Sequence, residues 1–315
     1  MKGIFLKIVL FAGVPLTYLS AAWLKFVKKS ATGRINETIF MRLGILPVLD
    51  HYYQPLINPK KHLTKSLRDD RQLPGIDFNV GEQLSLLAKF VYQEELLNFP
   101  LKKNNDTEFY YDNGFYESGD AEYLYNVIRH FKPGRIIEIG SGHSTLMARN
   151  AISKNKLENP GYTCHHICIE PFEQPWLEKV EIELIREKVE NLDTAFFQKL
   201  EPNDILFIDS SHIIRPQGDV LFEYLELLPT LKPGVIIHIH DIFSPKDYPD
   251  AWVFNHLLWN EQYLLEAFLT FNTGFRIIGA LNYLTHKHRN EFAEKCPVFA
   301  NQPGREPGAF WMIKK

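Results

Sequence analysis

The sequence predicts an α/β fold in which a seven-stranded, mostly parallel sheet with an antiparallel last strand carries helices on both faces, preceded by an N-terminal helical extension. Three observations predict it. Short β-branched runs alternate with helical stretches from residue 121 onward, a pattern that forces parallel strands joined by right-handed crossovers. The first of these runs, "RIIEIGSGHSTLMA" at 135–148, passes straight into a glycine pair and then a helix. "FKPG" before 135 and "LKPG" before 235 repeat one device, in which a helix stops, Pro and Gly turn the chain, and a buried strand begins.

The chain opens on an uncharged run, Ile8 to Leu24, that contains Gly13, Pro15 and Trp23. Its 17 residues sit at the lower limit for crossing about 30 Å of hydrocarbon. A retained anchor, a monotopic or re-entrant helix and a cleaved signal peptide all remain open; Lys2 and the small residues of "YLSAAW" suit the last. Downstream, Lys25 to Arg71 holds ten Lys/Arg against four Asp/Glu. Such a collar stays on the cytoplasmic side and is drawn to anionic headgroups, so the N-terminus is expected to associate with a membrane. Residues 1–30 are assigned to this element and 31–115 to a helical and irregular extension. Breakers from Gly44 to Gly75 interrupt that extension, and Leu84, Leu87, Val91 and Leu96 mark a helix over 80–99. Ser118 or Asp120 can cap the next helix.

From 116 to 315 the pattern is regular. Strands are expected at 135–139, 164–169, 180–185, 204–208, 235–239, 275–280 and 309–313. Helices are expected near 121–131, 144–154, 174–179, 193–199, 217–230 and 252–271. No helical pattern separates the last two strands, so they are expected to close the sheet as an antiparallel pair; the whole is Rossmann-like. At 45% hydrophobic and 13% aromatic, the chain has ample material for such a core. A net charge of -3, spread over both signs, gives nothing for nucleic acid to bind. Cys164, Cys168 and Cys296 form no C-x-x-C pair, which suits a reducing compartment, with the first two as core residues of a strand.

In a sheet wound this way ligands bind beyond the carboxyl ends of the strands. Those ends hold Glu138, Gly140, Ser141, Gly142, His143 and Ser144 after the first strand and Glu170 after the second. Asp209, Ser210, Ser211 and His212 follow the fourth, and His240 and Asp241 the fifth. Gly140 and Gly142 permit a tight turn and close approach of a ligand, and the following helix offers free N–H groups. Glu170 can accept both hydroxyls of a ribose. Together these features predict an adenosine-containing cofactor. A nicotinamide dinucleotide is disfavoured because the third fingerprint glycine is Thr145.

On "EIGSGHST", "IEP", "DILFIDSSH" and "LKPGVIIHIHDIF", the chain resembles the class I S-adenosylmethionine-dependent methyltransferases over roughly 116–315. "SGDAEYLYNVIRHFKPGRIIEIGSGHST", "HDIFSPKDYP" and "WNEQYLL" narrow the resemblance to a bacterial, often membrane-associated subgroup. The family pattern often has glycine where Ser144 stands. The resemblance implies S-adenosylmethionine as cofactor, with Gly140, Ser141, Gly142 and Ser144 along its methionine part. It further implies Glu138 near its amino group, Glu170 on the ribose, and Glu190 or Asn191 near the adenine.

Methyl transfer to a hydroxyl requires alignment and a proton acceptor. His212 and His240 are candidates, with Asp209 beside them. His238, alternating with His240, is expected to face the opposite way, under a helix. Metal-dependent relatives place acids after the fourth and fifth strands, which Asp209 and Asp241 match, so a divalent cation such as Mg²⁺ is a further cofactor the resemblance allows. The usual third ligand position is Ile242, which cannot coordinate, leaving His212 or His240 to substitute. His286 and His288 belong to an expected polar loop, and Trp252, Phe254, Trp259, Tyr263 and Phe268 to a core-packing helix, with an acceptor contact possible near Trp252. The expectation is a methyltransferase on the cytoplasmic face of the inner membrane. Its acceptor is an oxygen of a membrane-proximal glycan, lipid-linked sugar or polar lipid. The alternatives are a catalytically silent cofactor-binding scaffold and an NAD-dependent oxidoreductase.

Overall fold

In the computed structural model, residues 2–30 and 34–315 are described, and the chain divides into two compact units between Ser66 and Leu67. The expected boundary at 30/31 falls beside residues 31–33, which lie outside the described residues. The larger unit starts well before residue 116. Leu86, Leu87, Phe90 and Leu96 are buried in the same core as the helix Asp120–Phe131, so 67–115 packs as part of the α/β unit rather than as an extension.

The sheet contains β1 (Arg135–Ile139), β2 (His165–Ile169), β3 (Glu183–Ile185), β4 (Ile205–Ile208), β5 (Ile236–Ile239), β6 (Phe275–Ala280) and β7 (Phe310–Lys314). Their order is β3-β2-β1-β4-β5-β7-β6, parallel throughout except β7, which runs antiparallel to both neighbours. The order reverses between β1 and β4, which opens a crevice at their carboxyl ends. Central strands are apolar on both sides because each face is covered by helices. Ile136, Ile205 and Ile236 pack on one face under the helices Asp120–Phe131 and His143–Glu158. Ile137, Leu206 and Ile237 pack on the other, with Leu265 of the helix Glu261–Leu269.

Several elements differ from their expected form. The 80–99 helix is broken into Val80–Leu87 and Gln93–Leu96, and Val91 is exposed. Neither Ser118 nor Asp120 caps Asp120–Phe131. Gly119 takes that place at φ +88°, its N–H held by Glu122 at 3.0 Å, and the Asp120 carboxylate instead accepts from the amide of Ala309 at 2.7 Å. Segments 174–179 and 193–199 shrink to 3-10 turns, Pro175–Lys179 and Thr194–Lys199. The stretch at 217–230 passes from a short α turn through a π-helical segment, Phe222–Leu227, to a 3-10 turn. The 252–271 helix is split into Asp250–Phe254 and Glu261–Leu269. The last two strands are separated by helices after all: Leu281–Lys287, Arg289–Lys295 and Pro297–Ala300. None is longer than seven residues, so no apolar period extends far enough to mark it.

In the smaller unit the helices Lys2–Ala12 and Val14–Lys29 meet at a bend of 53° around Gly13. Pro15 lacks the N–H that would continue the ladder. Among the described residues no single helix is long and apolar enough to cross a membrane. The helix Arg34–Leu43 follows, and Asp50 ties the next turn by accepting from Lys61 at 3.2 Å and the Asn58 amide at 3.2 Å.

Candidate active site

The strand ends of β1, β2, β4 and β5 meet at the crevice. Gly140 leaves β1 at φ +73°, and a Cβ there would collide with the backbone carbonyl of Asp209. Only glycine allows the turn to lie directly against the end of β4. Gly142 differs. A Cβ on it would meet nothing within 4 Å, so the space it leaves free is the hollow above the turn. His143 begins the helix His143–Glu158, and its buried Nδ1 has no hydrogen-bond partner among the described residues.

Glu138 lies beneath this turn rather than open to the hollow. Its carboxylate accepts from Ser144 Oγ at 2.5 Å and Thr145 Oγ1 at 2.8 Å, and lies 3.0 Å from His166 Nε2. Thr145 Oγ1 in turn accepts from the amide of Gly142 at 3.1 Å. The residue that departs from a dinucleotide fingerprint therefore fastens the glycine turn to the acid below it. Glu170 caps its own loop: Oε1 accepts from the amides of Phe172 and Glu173 at 2.9 and 2.8 Å. Its Oε2 faces the turn and accepts from the Ser141 amide at 3.3 Å, a long contact that leaves lone pairs free on the hollow side.

Beside the turn, Asp209, His212, His240 and Asp241 converge. His212 Nε2 lies 3.3 Å from Asp209 and 3.5 Å from Asp241. His240 Nδ1 lies 3.5 Å from Asp209 and 3.6 Å from Asp241. Two carboxylates thus bridge two imidazoles. His212 and Asp241 both take positive φ, +60° and +57°, a conformation that turns each side chain back over its strand end. His212 is clamped from behind: Glu261 Oε2 lies 2.7 Å from its Nδ1, Tyr224 donates to Glu261 Oε1 at 3.0 Å, and Trp259 packs 4.4 Å from the ring. The His212 carbonyl accepts from the amides of Asn260 and Glu261.

Electrostatics change the expected roles. Burial disfavours charge on both rings. For His212 the hydrogen bonds of Asp209 and Glu261 outweigh it, and for His240 the charges of Asp241 and Asp209 do, so both are held protonated well above the usual imidazole range. Burial opposes ionisation of Asp209, yet the two histidines hold its carboxyl well below the ordinary carboxylate range. Burial prevails at Asp241 and pushes it up. The histidines therefore act as fixed cations, and Asp241 is the stronger proton acceptor of the two acids.

Oxygen and nitrogen atoms of Asp209, His240 and Asp241 lie within 4.8 Å of one another, a hard two-carboxylate, one-imidazole set that fits a divalent cation once His240 gives up its proton to it. Ile242 is buried in the core, so His240 supplies the third position. Glu190 and Asn191 are set apart from this cluster. They line a cleft of about 1000 Å³ beyond the ends of β2 and β3, together with Phe172 and Leu221.

His238 does not face away from His240. Residues two apart on a strand share a face, and the two rings stack at 5.8 Å. His238 is neutral, because burial pushes it well below the usual range, and it stacks on Phe207 at 4.0 Å. His286 pairs with Glu306 at 2.8 Å in the helix Leu281–Lys287, not in a loop, while His288 separates that helix from the next. Trp252, Trp259, Tyr263, Phe243 and Tyr248 form an edge-to-face cluster next to His212. Glu261, Tyr224 and Trp259 escaped sequence reasoning, since Glu261 lies 49 residues from His212 and no local pattern joins them.

A family model described as a methyltransferase domain matches residues 137–242. An uncharacterized protein of Archaeoglobus fulgidus is 30% identical over 185 residues, which cover 54% of this chain and 80% of that relative. Among solved structures, the plantazolicin methyltransferase BpumL with SAH is similar at TM-score 0.39 and 17% identity, covering 76% of this chain and 99% of that one. An O-methyltransferase from Bacillus cereus with SAH is similar at TM-score 0.33 and 14% identity, covering 73% and 91%.

Proposed function

This chain belongs to the class I S-adenosylmethionine-dependent methyltransferases, and from that premise we propose that it methylates a hydroxyl of a membrane-proximal glycan, lipid-linked sugar or polar lipid at the cytoplasmic face of the inner membrane. The convergence of Asp209, His212, His240 and Asp241 against the glycine turn supports oxygen as the acceptor. The basic collar from Lys25 to Arg71 supports the membrane-proximal part.

The turn suits the cofactor. Gly142 leaves the hollow open, and Glu170 Oε2 can accept ribose hydroxyls. Bound S-adenosylmethionine supplies an electrophilic methyl group on a sulfonium sulfur. It would give that methyl to the acceptor oxygen and leave as S-adenosylhomocysteine, while Asp241 would accept the proton the hydroxyl gives up. His212 and His240 hold both carboxylates in place and stabilise charge on the acceptor oxygen. With a divalent cation bound instead, Asp209, Asp241 and deprotonated His240 would hold it, and it would lower the pKa of the acceptor hydroxyl in place of the His240 charge.

The test is incubation of the full chain with methyl-labelled S-adenosylmethionine and a membrane lipid extract. Label is expected in the lipid or lipid-linked glycan fraction. Label recovered solely in water-soluble small molecules would overturn this acceptor class.

A further inference from the structure

We propose that residues 2–29 form a bent, monotopic helix pair immersed in one leaflet of an anionic bilayer, with both ends at the same face. This deepens the membrane placement proposed above and stands apart from the methyl-transfer chemistry.

The apolar side chains of Lys2–Ala12 leave no polar stripe: Ile4, Phe5, Leu6, Ile8, Val9, Leu10 and Phe11 are consecutive or nearly so, and all are exposed. In Val14–Lys29 the exposed Leu16, Tyr18, Leu19, Trp23 and Phe26 continue this surface. A helix apolar all round requires an apolar medium. The bent pair taken whole has the length and composition to cross a bilayer, but its uncharged part is shorter. At 1.5 Å per residue, and with the 53° bend, the uncharged run from Ile8 to Leu24 reaches about 22 Å end to end, short of the roughly 30 Å of a hydrocarbon core. With both ends at one surface, limbs of about 16 and 24 Å meeting at that bend carry the elbow about 8 Å inward. This depth matches the roughly 5–10 Å typical of monotopic helices.

Charge points the same way. Lys2 and Lys7 mark the first limb, and Lys25, Lys28 and Lys29 the end of the second. A monotopic pair sets Lys7 and the lysines that end the second limb against one anionic headgroup layer, on the same side as the basic collar that follows. Tyr18 and Trp23 suit the adjoining interface.

The test uses the full chain carrying Cys164→Ser and either Gly3→Cys or Ser30→Cys, expressed into sealed membrane vesicles of both orientations. A membrane-impermeant maleimide is expected to label both positions from the cytoplasmic side and neither from the opposite side. Labelling from opposite sides would overturn the proposal, as would a chain that stays in the soluble fraction. With purified protein, replacing Lys25, Lys28 and Lys29 together by Gln is expected to lower partitioning onto vesicles of one-third phosphatidylglycerol by about 100-fold. Equal binding to neutral and anionic vesicles would contradict the anionic leaflet. S-adenosylhomocysteine formation by the same preparations reports separately on the methyl-transfer reading.

Discussion

His212 Nδ1 lies 2.7 Å from Oε2 of Glu261, a carboxylate with no solvent exposure. Glu261 in turn is held by Tyr224 and sits at the start of its helix, so the ring cannot rotate away from Asp209 and Asp241. Replacing Glu261 by Gln keeps the packing and removes the charge. Steady-state kinetics are expected to show kcat lowered on the order of 10–100-fold, with KM for S-adenosylmethionine little changed. A change confined to KM would place Glu261 in cofactor binding instead.

Gly140 and Gly142 are separable by substitution. Gly140→Ala forces a Cβ into the Asp209 carbonyl at a positive φ, so the protein is expected to lose on the order of 4 kcal/mol of stability, read by thermal unfolding. At Gly142 a Cβ meets nothing within 4 Å, so Gly142→Val is expected to cost far less Tm than Gly140→Ala while abolishing S-adenosylmethionine binding in calorimetry. Full cofactor affinity in Gly142→Val would show that the hollow is not the cofactor's place.

The histidine cluster sets a pH window. His212 and His240 have folded pKa values raised above the unfolded value near 6.5, so their stabilisation is fully present below that pH and is lost as pH climbs through the folded values. Asp209 is depressed, so its share is present above about pH 4 and is lost on acidification through its lower folded value. Tm is expected to hold between about pH 5 and 7 and to fall on the alkaline side. His240→Asn should flatten the alkaline fall, and an unchanged profile would remove His240 from it.

A cation held by Asp209, His240 and Asp241 can be read without turnover. Mn²⁺ titration followed by electron paramagnetic resonance is expected to show one bound ion in the wild type, and at least a tenfold weaker site in Asp241→Asn. Equal occupancy in the two proteins would place the ion elsewhere.

How much of this was legible in the sequence depends on the range of the cause. β1 and its turn were readable because a β-branched strand, two glycines and a helix start are local signals. The antiparallel β7 was expected on a premise that fails, a direct connection from β6: three helices lie between them, invisible for want of an apolar period. Glu170 and the Asp209–Asp241 pairing were readable because strand ends of a parallel sheet gather at one edge. Thr145 was legible as a departure from a dinucleotide pattern, but its bonds to Gly142 and Glu138 were not. The protonation of His212 and His240 is set by four acids from four separate segments, Asp120, Asp209, Asp241 and Glu261, and no spacing rule assembles them.

The most direct measurement is a crystal structure of the chain with S-adenosylhomocysteine. The ribose hydroxyls are expected on Glu170 Oε2, the amino-acid end along Ser141 and Gly142, and the sulfur facing Asp241. A ligand bound away from the glycine turn, or Glu170 with both oxygens turned from it, would contradict the proposed site.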